Sequence, residues 1–129
     1  RGSYTIEKYQ QEHGLTPLEY YNKAIQKIKR DIKSPKFFIF SDDTKWVREN
    51  FESLTNSTII EGTPEKDYLD IFLMSQCKHN IIANSTFSWW GAWLNSNPHK
   101  IVIAPKIWYM MEDLNITTSS LIPNSWIRL

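Results

Sequence analysis

The sequence has few of the features that mark several large classes of protein. Its single cysteine, Cys77, excludes an internal disulfide and fits a reducing compartment. No hydrophobic stretch approaches the length of a membrane-spanning helix, and the opening residues do not have the pattern of a signal peptide. Fifteen basic and fourteen acidic residues leave a formal charge of +1, which supplies no broad attraction for nucleic acid. We therefore expect a soluble protein without nucleic-acid partners, in which any anion site is local.

Metal ligands are equally sparse. His13, His79 and His99 are scattered, with neither an i, i+4 pair nor a cysteine cluster, so the sequence does not support a zinc site. The adjacent aspartates Asp42 and Asp43 cannot be assumed to chelate one ion together. We expect no metal at these residues.

The composition is that of one compact domain. At 129 residues and 41% hydrophobic content, the chain can bury a core of its own. A dense basic stretch between Lys23 and Lys36 would suit a membrane surface or another acidic partner. Apolar residues at helical spacing in the same stretch favour the alternative, a solvated face of a helix that packs on a core.

Helix and strand patterns alternate along the chain. Thr16, Pro17 and Glu19 form a helix start, with Thr16 as cap, and an apolar stripe continues the helix to about Asp31. The continuous apolar run at residues 37–40 is typical of a strand buried on both faces. Further strands are predicted at residues 57–60, 80–83 and 100–104, and further helices at 46–51, 63–73 and 87–94.

This alternation predicts an α/β fold, with a Rossmann-like parallel sheet and helices on both faces, because parallel crossovers need a helix to return the chain. Ligands of such sheets bind beyond the carboxyl ends of the strands. The segments to search are therefore residues 41–43, residues 84–86 and the loop after Ala104. An apolar stripe lines the 63–73 helix: Tyr68, Leu69, Phe72 and Leu73. The tryptophans after residue 88 are expected in the core, with stacking on a base or sugar as the alternative, and Trp126 is expected to pack back on the body.

The turn from the third strand into its helix is the first candidate site. Asn84, Ser85 and Thr86 would direct backbone N–H groups, hydroxyl donors and the positive end of a helix dipole to one point, as phosphate binding requires. A simpler alternative is that one of these side chains caps the helix. The residue types alone leave both interpretations open.

Three carboxylates are the second candidate. Asp70 lies among apolar residues, where it needs a partner such as a ribose hydroxyl or a guanine N–H, unless it occupies the exposed edge of its helix. Asp42 and Asp43 follow a strand, where they would bind ribose, base or metal, although helix capping explains at least one of them.

Three segments, residues 38–46, 73–80 and 83–93, together resemble the α1,2-fucosyltransferases of glycosyltransferase family 11 in order and spacing. Residues 1–4 resemble the end of the family's His-x-Arg-Arg-x-Asp-type motif. The resemblance implies that residues 1–129 are a single GDP-sugar-binding domain, one lobe of a GT-B-like enzyme whose acceptor lobe lies outside this chain. It also implies inverting, metal-independent transfer of L-fucose from GDP-β-L-fucose to a galactoside hydroxyl in α1,2 linkage, without a cofactor.

The resemblance assigns roles by position. Arg1 would neutralise the leaving diphosphate, an electrostatic task suited to a guanidinium group. The turn would hold the diphosphate, Asp70 would hold the guanosine, and Asp42 and Asp43 would match the family's acidic pair. The implied donor-binding residues are Asp42, Asp43, Asp70, Asn84, Ser85, Thr86, Phe87 and Ser88.

Two departures from the family pattern leave alternatives open. The motif's histidine and other arginine would precede residue 1, and its aspartate appears here as Ser3. We therefore expect this piece to be inactive alone, and the general base is not identified. A non-catalytic nucleotide-sugar-binding module is the alternative, and a receiver-like domain that binds Mg²⁺ at Asp42 and Asp43 is a third.

The expected location follows the bacterial members of the family, which act in the cytoplasm on precursors of surface glycans. A Golgi membrane enzyme is the alternative, if an anchor has been removed. The expected partners are a nucleotide sugar and a glycan acceptor, with peripheral membrane contact of the full-length protein.

Overall fold

The structure is a computed structural model that describes residues 14–62, 65–110 and 118–129. Arg1, the predicted diphosphate ligand, and Ser3 lie outside the described residues. The helices are α1 (Leu18–Asp31), α2 (Thr44–Phe51), α3 (Asp67–Ser75), α4 (Thr86–Trp93) and α5 (Thr118–Leu121). The strands are β1 (Phe37–Phe40), β2 (Ser57–Ile60), β3 (Asn80–Ile81), β4 (Val102–Ala104) and β5 (Ile127–Arg128).

All the strand pairs among the described residues are parallel, which confirms the predicted α/β class. β1 pairs with β2 from Phe37 beside Ser57 onwards, and β3, β4 and β5 lie side by side in that order. We expected one sheet, but the described residues form two, and no hydrogen-bonded pairing joins β1 to β3 among them. β3 is only two residues long and so offers little edge to a neighbour. Strands β1 and β3 both line a cavity of about 200 Å³ between the two sheets.

Helices α1 and α4 cover opposite faces of β4. Val102 and Ala104 belong to a core cluster with Ala92 of α4, whereas Ile103 packs with Ala24 and its neighbours on α1. Successive side chains of a strand point to opposite faces, so each helix takes one face. The first cluster also holds Trp108, Ile122 and Trp126, which confirms that Trp126 packs back on the body.

Burial of the strands differs from the expectation. β4 is buried at every position, as a strand covered on both faces should be. In β1, by contrast, Phe38 is exposed and the Lys36 ammonium lies 5.2 Å from its ring centre. The prediction that residues 37–40 are buried on both faces was therefore wrong. The apolar run in β1 forms part of the cavity wall instead.

The apolar side chains of α3 are also more exposed than predicted. Tyr68 and Phe72 are 64% and 57% exposed, and on α4 Trp90 and Trp93 are 48% and 51% exposed. Both helices are apolar on more than one face, and a helix that packs on one neighbour buries only one stripe. The two helices approach closely at Gly91, because a Cβ there would lie 2.7 Å from the Cβ of Met74 on α3.

The start of α1 differs in its cap. Pro17 occupies the N-cap position and no side chain caps the helix, so the capping role predicted for Thr16 was wrong. Glu19 pairs with Lys23 at 2.7 Å, one helical turn further along. The Thr16 hydroxyl bonds across the fold to Asn84 instead. Within the described ranges, no helix is long and apolar enough to cross a membrane.

Candidate functional site

The turn between β3 and α4 has an N-terminus without a side-chain cap. Ser85 is the N-cap residue, in an extended conformation, and its hydroxyl makes no capping hydrogen bond. The first N–H groups of any α-helix have no partner within the helix. The Thr86 side chain is exposed beside them, and Phe87 is half-buried. The capping alternative therefore does not hold for Ser85, and the turn retains the donors that an anion would use.

Ser88 stabilises this turn from inside. Its Oγ lies 3.0 Å from the Ser85 carbonyl oxygen and 3.4 Å from that of Ala83, so the hydroxyl donates within the turn. The Trp89 N–H also donates to the Ser85 carbonyl, at 2.9 Å. A ligand that took the Ser88 proton would have to break this internal bond.

Asn84 is buried beneath the turn, with 3% of its surface exposed. Its Oδ1 accepts from the Thr16 hydroxyl at 2.6 Å, and its Nδ2 donates to the Trp108 carbonyl at 3.2 Å and the Gly14 carbonyl at 3.4 Å. The Asn84 N–H also donates to the Thr16 Oγ, at 3.3 Å. The side chain predicted to contact the donor is thus engaged in bonds inside the protein.

Asp43 is explained by capping, the alternative that the sequence left open for one of the pair. Its Oδ1 accepts from the Trp46 N–H at 3.1 Å as the N-cap of α2, and its own N–H donates to Ser41 Oγ at 3.0 Å. Asp42 is exposed beside it. These residues follow β1, at the edge of the sheet where ligands of parallel sheets bind.

Asp70 lies just beyond the end of β2. A Cβ on Gly62 would stand 3.1 Å from Asp70 Oδ2, so the missing side chain makes room for the carboxylate. Burial raises the pKa of Asp70, and the nearby charge of Asp67 raises it further. Close to this edge, the Arg48 guanidinium pairs with Glu61 at 2.6 Å. Asp70 therefore occupies a half-buried position on the predicted ligand edge, not the exposed edge of its helix.

The structure brings several predicted residues to neighbouring elements. Ser41, Ala83 and Ser88 line one cavity, so the end of β1 meets the turn before α4. Helices α3 and α4 pack on each other, with Asp70 one turn before the Met74 contact and Phe87 one turn before Gly91. Among the described residues, no group of three or more His, Cys, Asp or Glu could hold a metal ion.

Residues that sequence reasoning missed are Gly14, Thr16 and Trp108, which hold Asn84. A Thr-Pro pair before a helical pattern is the ordinary signal of a helix start, so nothing local indicated a partner 68 residues away.

Comparison with known proteins defines the class. The model of glycosyl transferase family 11 matches residues 1–129, the full length of this chain. The chain belongs to family 11, as the resemblance predicted.

The relatives include bacterial and mammalian enzymes. The O-antigen biosynthesis glycosyltransferase WbnK of Escherichia coli is 41% identical over 100% of this chain and 42% of its own length. An alpha-1,2-colitosyltransferase of Escherichia coli is 40% identical over 91% of this chain and 40% of its own length. Galactoside alpha-(1,2)-fucosyltransferase 2 of Mus musculus is 34% identical over 58% of this chain and 22% of its own length. The chain thus spans about two fifths of its bacterial relatives, and no solved structure matches it.

Proposed function

We propose that this chain is the donor-binding part of an α1,2-fucosyltransferase, which transfers L-fucose from GDP-β-L-fucose to a galactoside hydroxyl with inversion. The family match and the names of the relatives support the transfer and its linkage. The observation that supports the donor site is the N-terminus of α4. No side chain caps it, and it lies beside the cavity into which the end of β1 faces. We place the chain in one Rossmann-like lobe of a GT-B-like enzyme, with the acceptor lobe elsewhere.

The diphosphate would bind at this helix end. Backbone N–H groups from Thr86 to Ser88 and the Ser85 hydroxyl would donate to its oxygens, and the positive end of the helix dipole would favour its charge. Ser88 already donates inside the turn, so its hydroxyl would contribute less than that of Ser85. Phe87 would shield one side of the site.

The nucleoside would lie over the ends of β1 and β2. The Asp70 carboxylate would accept from guanine N–H groups or ribose hydroxyls, and Asp42 would approach the same ligand from the end of β1. Asp43 already accepts from the Trp46 N–H, so one of its oxygens is committed to α2. Asp70 is the better candidate for a nucleoside ligand than Asp42, because water competes less for the hydrogen bonds of a half-buried carboxylate than for those of an exposed one.

The chemical step would be a direct displacement. The acceptor hydroxyl oxygen attacks the anomeric carbon, the bond from that carbon to the β-phosphate oxygen breaks, and GDP departs with the electron pair. Arg1 and the α4 N-terminus would stabilise the negative charge on GDP without a metal ion. The acceptor proton passes to a general base, which the residues of this chain do not identify.

A second donor is favoured by one relative. The colitosyltransferase is 40% identical over 91% of this chain, and colitose is the 3-deoxy form of L-fucose. The same diphosphate and guanosine contacts would serve both donors, so the two candidates differ only at the sugar. Turnover of GDP-fucose and GDP-colitose by the full-length protein, measured as GDP release with a galactoside present, decides between them.

The site is tested by calorimetry of the full-length protein with GDP. Ser85→Ala and Asp70→Ala should each weaken GDP binding by about tenfold, the cost of one charge-assisted hydrogen bond. Ser96→Ala is the matched control, because this exposed serine lies beyond the other end of α4. Equal affinity in all four proteins would refute the site. GDP binding without turnover, and no effect of Arg1→Ala, would support the non-catalytic module instead.

A further inference from the structure

The hydrogen-bonded pair of Thr16 and Asn84 has no role in the proposed chemistry, yet it is one of the most buried polar contacts described. Thr16 is 7% exposed and Asn84 is 3% exposed. The Thr16 hydroxyl serves twice, since it donates to Asn84 Oδ1 at 2.6 Å and accepts from the Asn84 N–H at 3.3 Å. Such a reciprocal pair fixes both a side chain and the backbone that carries it.

The pair joins two segments that are distant in sequence, at the point where the chain enters the turn of residues 84–86. Asn84 directly precedes the N-cap Ser85, and Thr16 directly precedes Pro17 at the start of α1. Trp108 and Gly14 complete the set of partners through their carbonyl oxygens.

The residues around the Thr16–Asn84 pair leave it little freedom to move. Gly14 has φ +65°, and a Cβ on it would come within 2.6 Å of Met110 Sδ. One helical turn along α1, the Tyr20 hydroxyl lies 2.7 Å from the Ile82 carbonyl oxygen and 3.0 Å from that of Ile103. The backbone that enters the turn is thus held at Ile82 and again at Asn84.

We propose that Thr16 and Asn84 are positioning residues for the donor diphosphate, which they do not touch. They set the direction of the backbone from Ser85 to Ser88, and so the point at which the N–H groups converge. The inference rests on the proposed function, and it replaces the expected contact between Asn84 and the donor. Loss of the pair should therefore weaken the diphosphate part of binding and spare the guanosine part, which depends on other elements.

The experiment compares GDP with guanosine on the full-length protein. Thr16→Val keeps the shape of the side chain and removes its donor and acceptor, whereas Thr16→Ser keeps both. We expect Thr16→Val to raise the Kd for GDP about tenfold and leave the Kd for guanosine unchanged, and Thr16→Ser to restore GDP binding. If Thr16→Val does not fold, Thr16→Cys, whose thiol is a weaker donor and acceptor, takes its place.

The matched control is at the other end of β3. Asn80 is buried to a similar degree, donates to the Met74 carbonyl at 2.9 Å and accepts from Asn95 at 2.8 Å. Asn80→Ala and Asn84→Ala should both lower Tm, but only Asn84→Ala should raise the ratio of the GDP to the guanosine Kd.

The outcomes separate the two proposals. If the unmodified protein does not bind GDP, the proposed function fails. If it binds GDP and Ser85→Ala weakens binding, but Thr16→Val does not, the positioning role alone is overturned. An equal change of the ratio in Asn80→Ala, or no rescue by Thr16→Ser, also overturns it, because general destabilisation would then explain the loss.

Discussion

Gly91→Ala should separate two helices that carry the proposed donor site. The added Cβ would stand 2.7 Å from Met74 Cβ and 3.2 Å from its Sδ. Carbon atoms in contact prefer about 3.5–4.0 Å, so α3 and α4 would have to move apart by about 1 Å. Met74 Cβ is attached to the helix backbone, and a change of side-chain rotamer cannot relieve this contact.

Two opposing effects determine the size of the change. Overpacking a close contact costs about 1–3 kcal/mol, whereas alanine gains about 1 kcal/mol over glycine inside a helix. We expect a net loss of about 1 kcal/mol in the free energy of unfolding, which is roughly 4 °C in Tm for a domain of this size. Donor affinity should fall as well, because Asp70 and the turn lie one helical turn from the crossing on the two separated helices.

Urea unfolding and calorimetry with GDP measure both effects. Met74→Gly removes the clashing atom, so the double variant should show a favourable coupling of at least about 1 kcal/mol in a double-mutant cycle. Stabilisation by Gly91→Ala of about 1 kcal/mol, the value for helix propensity alone, would refute the close crossing.

Two further changes test single contacts. The raised pKa of Asp70 means that the folded protein favours the neutral carboxyl, so the free energy of unfolding falls as the pH rises above the ordinary pKa of 3.8. Asp70→Asn should therefore stabilise the protein at pH 7 and lose that advantage below pH 3.8. The same substitution should weaken GDP binding. A thermal scan in which Asp70→Asn destabilises the protein at pH 7 contradicts the expected stabilisation. Lys100 Nζ donates to the carbonyls of Ala92 at 2.8 Å and Asn95 at 2.7 Å, so Lys100→Met should cost about 2 kcal/mol in urea unfolding. The exposed Lys78→Met is its control, and equal losses would argue against a stabilising role of the Lys100 hydrogen bonds.

Local patterns predicted the elements closely. The strands expected at residues 37–40 and 57–60 are β1 and β2, and the helix expected to about Asp31 is α1. β5 was missed, because two residues carry no periodicity and their pairing with β4 depends on the tertiary fold. The exposure of α3 was missed for a related reason: apolar spacing shows which residues can be buried, but not how many neighbours arrive to bury them.

The candidate site was predictable in part. The turn after β3 was found because its hydroxyl residues and helix start are local features of the sequence. The hydrogen bonds that hold the turn in place were not found, because Thr16 and Asn84 are 68 residues apart in sequence and meet only in the folded protein. Arg1 lies outside the described residues, so its role stays a prediction.

The placement of β5 also bears on truncation of the chain. β4 pairs with β5 through Ile103 beside Ile127 and Ala104 beside Arg128, and Leu129 accepts from the Lys106 N–H. Without β5, β4 would present an unpaired edge on a strand that is apolar at every position. Such an edge invites pairing with a strand of another molecule. A truncation before Ile127 should therefore favour aggregation.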